Sequence, residues 1–482
     1  MSFFLWVCLL STGDREVDEV AVGLESSAAA TRRVAVRELG EIGTPQAFDL
    51  ILPCLADKDG EVADEAQWQL ANSGSPLPFL GRSGLRSPDP WVRLRAAELL
   101  GRMSCPVDAR ALSRHLSRKE RDQSAALVWS LERLARRGML AGDLVRCAKD
   151  VARAVRFGGH AGAAALLCLE ALDARELEVE LVRASRRSDE LQRSAAAEAS
   201  ARRSGSEDWV LIEALSCDED SGVRRVLVKS LAFKPSLRKV HLLIERLERE
   251  DVRSVREEIV ALLRAWSGLR HRFDPRPWAD WARTLAPEWR ASAQRGRSGV
   301  EGATASFAGV PISSERLCVL VDLSGSIQAQ MSEGVTRRDY VESELAALLK
   351  ELSASARFNL IAFCDKPYSW KSELELNRRG TAAEALKWFL RLSVRGRGDL
   401  FSAAMQALND PEVDTLLIFT DGVPTGGRRW KLCLMASLLE QECRFRGVSI
   451  DSALVGASAR TVAAWEGLSS LTGGRSVQVK LE

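Results

Sequence analysis

At 482 residues the chain is too long for one hydrophobic core, and length alone predicts two to four domains. A composition of 46% hydrophobic and 28% charged residues excludes wholesale disorder. The 68 basic and 66 acidic residues leave a net charge of +2, mixed along most of the chain, which gives no electrostatic case for a nucleic-acid partner or a membrane surface.

Residues 1–13 form a separate apolar segment. The run Phe3 to Leu10 followed by Ser-Thr-Gly is similar to a short signal h-region, but it lacks a basic flank and a small-x-small cleavage site. Trp6-Val7 before Cys8 suits a lipoprotein acceptor poorly. Both export and an N-terminal helix packed on its neighbour stay open, so the compartment is cytoplasmic or exported. No stretch reaches the ~18–20 apolar residues of a transmembrane segment.

Residues 14–270 repeat. The clearest unit runs from Ser87-Pro-Asp-Pro-Trp-Val-Arg to Gly101, with apolar or small residues at i, i+4 and i+8, one buried face of a helix. The same skeleton starts at Thr31, Val62, Val92, Gln123, Phe157, Leu191, Val223 and Val255, starts that lie roughly 30 to 34 residues apart, as two short helices and two turns require. Asp59, Asp89 and Asp220 each stand three residues before a start, placed to cap a helix N-terminus. Gly40 and Gly101 are expected as left-handed C-caps. The Asp-x-x-Val-Arg pattern, complete at Asp89 and Asp220 and without the Arg at Asp59, resembles the short form of the HEAT repeat. That resemblance implies an α-solenoid with an extended surface for another protein.

The ten cysteines are scattered singly, without CxxC or metal-ligand spacing. Cys54, Cys147, Cys168, Cys318 and Cys364 sit in apolar runs as small buried thiols do. Four isolated histidines, none beyond His271, leave a zinc hydrolase without a basis.

Residues 271–313 lose the period. Trp278 and Trp281 share one face of a short helix beside Trp289, and their rings are expected to close the end of the repeat core, with an aromatic ligand platform as the alternative. The Gly/Ser/Ala-rich run from Ser292 to Ala308 is expected as a flexible linker. The arrangement resembles bacterial proteins that join HEAT-like repeats to a von Willebrand factor A domain.

Residues 314–482 alternate strand and helix, the pattern of an α/β doubly wound sheet. Strands are expected at Arg316 to Asp322, Phe358 to Phe363, Thr415 to Thr420, Val448 to Val455 and Val477 to Val479. Helices are expected at Tyr340 to Leu352 and Trp430 to Phe445. Two motifs fall at strand ends, where such folds bind ligands: Asp322-Leu-Ser324-Gly-Ser326 and Thr420-Asp421-Gly422. Together they resemble the metal-ion-dependent adhesion site of von Willebrand factor A (VWA) domains. The resemblance implies Mg²⁺, or Mn²⁺ or Ca²⁺, held by Ser324 and Ser326, with Asp322 and Asp421 acting through water and a partner protein's Asp or Glu carboxylate completing the shell. It departs from the family at Gly396-Arg397-Gly398-Asp399, where most members carry a Thr. Either Gly398 takes that position and water substitutes, or Asp399 does; Asp399 near the metal is the preferred expectation. The Arg-Gly-Asp tripeptide is read as coincidence. The implied function is a non-enzymatic protein-binding scaffold. The alternatives are an assembly factor with a degenerate, metal-independent site and, behind it, a metal-dependent hydrolase.

Overall fold

The computed structural model describes residues 16–76, 79, 81, 83–291, 305–332 and 334–479. The apolar segment 1–13 and the linker residues 292–304 lie outside them. The chain forms two compact units, Met1–Arg183 with Arg428–Leu434, and Ala184–Gly427 with Met435–Glu482. Among the described residues no helix is long and apolar enough to cross a membrane.

In the first unit, α1 (Ala29–Ile42), α2 (Gly60–Ala71), α3 (Pro90–Leu100), α4 (Arg121–Arg136) and α5 (Gly159–Ala171) pack each against the next, with shorter helices between them. The N-termini of α2 and α3 form as the sequence leads one to expect. The Asp59 carboxylate accepts the Glu61 amide at 2.9 Å, and Asp89 accepts Trp91 and Val92 at 2.7 and 3.3 Å. Phe157, expected inside a helix, instead ends a 3₁₀ turn before α5, because Gly158 (φ 76°) breaks the helix there.

Neither Gly40 nor Gly101 is a left-handed cap. α1 runs past Gly40 to Gly43, whose φ of 68° makes it the cap, and Gly101 ends α3 with φ −66°. Both glycines instead allow close helix approach. A Cβ on Gly40 would stand 2.5 Å from the Gln69 side chain, and one on Gly101 would stand 2.6 Å from the Ser130 hydroxyl.

At four of the turns a recurring arginine ties one turn to the next. Arg32, Arg93, Arg193 and Arg224 reach back to the two carbonyls five and six residues earlier, at 2.8–3.2 Å. The same guanidinium then pairs with an acid 25 to 27 residues on: Asp57, Glu120, Asp218 or Glu250. Asp57, Asp218 and Glu250 also accept the amide two residues further, so one carboxylate fixes its own turn and the preceding one.

The segment Arg428–Leu434 is held in the first unit by a buried charge cluster. The Asp64 carboxylate, fully buried, pairs with Arg95 at 2.6 Å and accepts the amides of Trp430 and Lys431. Arg429 pairs with Glu98 at 2.7 Å.

The second unit opens with α6 (Glu190–Arg203), α7 (Ser221–Leu231) and α8 (Arg253–Ser267), stacked in order. Trp278 is buried, its indole N–H donating to the Arg272 carbonyl at 2.8 Å. Trp278, Trp281, Trp289 and Trp266 follow one another edge to face at 6.2, 5.8 and 6.3 Å.

The sheet of this unit contains β1 (Arg316–Asp322), β2 (Arg357–Phe363), β3 (Pro367–Ser369), β4 (Glu375–Leu376), β5 (Thr415–Thr420), β6 (Ser449–Val455) and β7 (Ser476–Val479). The order is β4-β2-β1-β5-β6-β7, with β3 also on β2. β2, β1, β5, β6 and β7 are parallel, while β3 and β4 are antiparallel to β2. Both sheet faces are covered, so the central strands are apolar nearly throughout, β5 wholly buried. Helices α9 (Arg337–Glu351), α10 (Thr381–Leu390), α11 (Leu400–Ala407), α12 (Leu432–Arg444) and α13 (Ala459–Thr472) connect the strands. Ala305–Phe307, within the run read as a linker, pairs with Val310–Ile312 in a hairpin. The reason is apolar: Phe307 is fully buried in the domain core, 5.9 Å edge to face from Phe419. Cys147, Cys168, Cys318 and Cys364 are buried thiols, whereas Cys54 is half-buried.

α7 holds the sheet at its amino-terminal edge. Arg225 donates to the Asp414 carbonyl at 2.6 Å and to the Ser449 hydroxyl at 3.0 Å, and Lys229 donates to the carbonyls of Gly447 and Thr472, both at 2.9 Å. From α6, Glu198 pairs with Arg444 of α12 and, within its own helix, with Arg202 at 2.9 Å.

Candidate metal centre

β1 and β5 are neighbours, and both end at the same edge of the sheet, with Val321 opposite Phe419. Asp322 and Thr420, the last residues of the two strands, therefore meet. The Thr420 hydroxyl donates to one Asp322 carboxylate oxygen at 2.8 Å, and the Ser324 amide donates to the other at 2.8 Å. Asp322 is only 4% exposed. Burial lifts its pKa to about 6, against the opposing pull of the Ser324 and Thr420 hydrogen bonds, with Asp421 adding a further upward push.

After Asp322 the chain turns through Gly325–Gln328 as a short 3₁₀ helix. This turn brings the Ser324 and Ser326 hydroxyls to 3.1 Å of each other, Ser324 buried and Ser326 exposed. Two cis ligands of an octahedral Mg²⁺ at its usual bond length stand about 3 Å apart. The pair therefore fits one edge of such a shell. Among the described residues no three His, Cys, Asp or Glu side chains gather as a metal site. A cation here would have to draw on hydroxyls.

Asp421 is half-buried and pairs with Arg337, the first residue of α9, at 3.4 Å. The same Arg337 nitrogen lies 3.5 Å from the Ser326 carbonyl. Gly422 adopts φ 94°, and a Cβ there would stand 2.6 Å from the Thr461 methyl, so the Thr-Asp-Gly turn requires glycine.

The third loop separates Gly398 from Asp399. A Cβ on Gly398 would lie 3.4 Å from both Asp322 oxygens, so Gly398 is the residue that faces the buried carboxylate. The Asp399 side chain instead caps α11, accepting the Ser402 amide at 3.1 Å, while its amide donates to the Cys364 carbonyl at 2.7 Å. Among the described residues no hydrogen bond joins Asp399 to Asp322, Ser324, Ser326 or Asp421. The structure thus gathers Asp322, Ser324, Ser326 and Asp421 around two strand ends and leaves Asp399 at the base of α11. Arg397 is exposed but Gly398 and Asp399 are both buried, so the tripeptide is not displayed as a whole.

Two residues here escape a reading of the sequence. Arg337 lies inside the capping box of Thr336 and Asp339, whose reciprocal bonds start α9 three residues earlier than the apolar pattern indicates. Thr425, in the turn after Gly422, accepts the Gly398 amide at 2.7 Å. The absence of a Thr from the third loop was the one available hint that another hydroxyl stands near.

No family model matches the chain. The von Willebrand factor A domain-containing protein 3A of Homo sapiens is 26% identical over 163 residues, 33% of this chain and 13% of the human protein's length. A von Willebrand factor type A structure from Catenulispora acidiphila is similar at 14% identity, covering 36% of this chain and 40% of that one, with a TM-score of 0.28. The SpRpn10 VWA domain is similar at 15% identity over 34% of this chain and 88% of its own, with a TM-score of 0.27. Over 56% of this chain and 94% of the other, the complex of CpcE and CpcF of phycocyanin lyase from Nostoc sp. PCC7120 is similar at 18% identity and a TM-score of 0.25. TM-scores this low carry no part of the assignment. The doubly wound sheet, the two motifs at adjacent strand ends and the human relative together support a von Willebrand factor A domain in the C-terminal third of this chain.

Proposed function

We propose that the chain is a non-enzymatic protein-binding scaffold, in which a HEAT-like α-solenoid presents a VWA domain that captures a partner's carboxylate through Mg²⁺ or Mn²⁺. The observation that carries this reading is the Ser324–Ser326 hydroxyl pair at 3.1 Å beside the buried Asp322. Ser324 and Ser326 would hold the ion directly, with Asp322 and Asp421 hydrogen-bonded to its waters. The ion would supply a Lewis-acidic seat for an Asp or Glu side chain. Burial of Asp322 serves that role, because a carboxylate deprived of water gains from a nearby cation. Asp399 holds the loop rather than the ion. The sequence of the domain has no histidine, which supports binding rather than hydrolysis.

Calorimetric titration of Mg²⁺ and Mn²⁺ into the full chain, with Asp322→Ala alongside, tests the reading. Saturable binding at or below millimolar metal, lost in the variant, is the expected result. No heat at millimolar metal, or equal binding by the variant, sinks it. A second reading, an assembly factor that works without metal, draws on Arg337, whose guanidinium already neutralises Asp421. Partner capture that survives EDTA and fails in Arg337→Ala would favour it.

A further inference from the structure

Gly398 brings no side chain to the position beside Asp322, and another loop approaches that position. The Thr425 hydroxyl lies 3.5 Å from the point a Gly398 Cβ would occupy, and both Asp322 oxygens lie 3.4 Å from that same point. The two loops are laced together: the Gly398 amide donates to the Thr425 hydroxyl at 2.7 Å, and the amides of Thr425 and Gly426 donate to the Gly398 carbonyl at 3.2 and 3.1 Å.

Two glycines make this approach possible. A Cβ on Gly426 would stand 2.9 Å from the Arg397 Cβ, and one on Gly427 would stand 2.2 Å from an Asp399 carboxylate oxygen. The 425–427 turn is therefore pressed onto 397–399 as closely as backbone allows. The Thr425 oxygen spends one lone pair on the Gly398 amide and keeps the other. Among the described residues its own proton has no acceptor.

We infer that Thr425 supplies the third hydroxyl ligand of the cation, in place of the side chain that Gly398 lacks. The inference rests on the metal reading proposed above. A neutral hydroxyl here leaves the ion more electrophilic than a third carboxylate would, which suits an acidic side chain as the partner's contribution.

Mn²⁺ binding to the full chain, followed by calorimetry and by the electron paramagnetic resonance signal of free Mn²⁺, tests it. Thr425→Val is expected to weaken binding by roughly tenfold or more, the least that loss of a metal-site partner costs. Thr425→Ser should stay within about twofold, since it keeps the oxygen. Gly398 has no left-handed φ and a Cβ there meets only ordinary van der Waals contacts, so a side chain can start from this position, and trimming Thr425→Val leaves its hydroxyl direction open to Gly398→Thr. Adding Gly398→Thr to Thr425→Val should restore affinity, which a merely misfolded loop would not allow. Wild-type affinity in Thr425→Val, or no rescue by Gly398→Thr, overturns the assignment while the metal reading stands. If the wild-type chain itself binds no Mn²⁺, the metal reading fails and this inference falls with it.

Discussion

Gly334 and Gly427 share nearly the same backbone, φ 78° and 79°, yet they should respond differently to alanine. Gly334 has open space where a Cβ would go, so Gly334→Ala meets only the left-handed strain of about 1 kcal/mol. Gly427 would drive its Cβ into the Asp399 carboxylate, and Gly427→Ala should cost about 3 kcal/mol by urea denaturation. Equal midpoints for the two variants would contradict the close contact of the two loops. Arg337 invites a prediction of the opposite sign. Its positive charge faces Asp421 and the Ser326 carbonyl, where it opposes a bound cation. Arg337→Gln should therefore raise Mn²⁺ affinity about fivefold, the order of 1 kcal/mol for a like charge held a few ångströms away at high dielectric. A fall in affinity would instead make Arg337 a support of the site. The motif residues Asp322, Ser324, Ser326 and Asp421 were legible because each stands in a contiguous pattern. Gly398 stood only as one of two candidates for the third loop, and Thr425 did not show at all, because their meeting depends on how two loops fold over each other.

The repeat helices owe their regularity to more than the apolar stripe. Arg224 donates to two carbonyls of its own turn and pairs with Glu250 at 2.7 Å, the acid being 3% exposed. Arg93 makes the same backward bonds, but its acid, Glu120, stands at 3.4 Å and is 52% exposed. Removing the buried clamp strands a carboxylate, so Arg224→Ala should cost about 3 kcal/mol. The Arg93–Glu120 pair is worth about 1 kcal/mol or less, so Glu120→Ala should be nearly silent. Thermal or urea unfolding of the two variants separates them. The sequence marked these arginines as recurrent without revealing their acids, which lie 25 to 27 residues away. It misassigned Gly40 and Gly101 for a related reason: a glycine near a helix end serves a turn or a close neighbour equally well, and only the neighbour decides. The sheet was easier to read. Thr415–Thr420 matched its apolar run to the residue, whereas β3 and β4 are short, partly polar and defined only by pairing with β2.

At the scale of the molecule, acid should weaken the attachment of α6 to α12. Burial opposes the charge on Glu198, but Arg444 and Arg202 outweigh it and hold its pKa at about 2. A carboxylate with a depressed pKa contributes stability that is whole above the unfolded-state value near 4.5 and is lost as pH falls from there towards 2. The amount at neutral pH is on the order of 3 kcal/mol. Denaturation free energies measured from pH 6 to pH 3 should fall more steeply for the wild-type chain than for Glu198→Gln. Parallel curves would deny the pair that role. The other ties between these helices and the sheet, from Arg225 and Lys229, grip residues that precede or open β5 and β6. A parallel sheet has two unlike ends, and this one is gripped at the end where its chains enter, opposite the end where Asp322 and Asp421 emerge. Substitutions among the anchoring residues at one end can thus leave the Asp322–Thr420 edge untouched, so the two ends of the sheet are free to evolve separately.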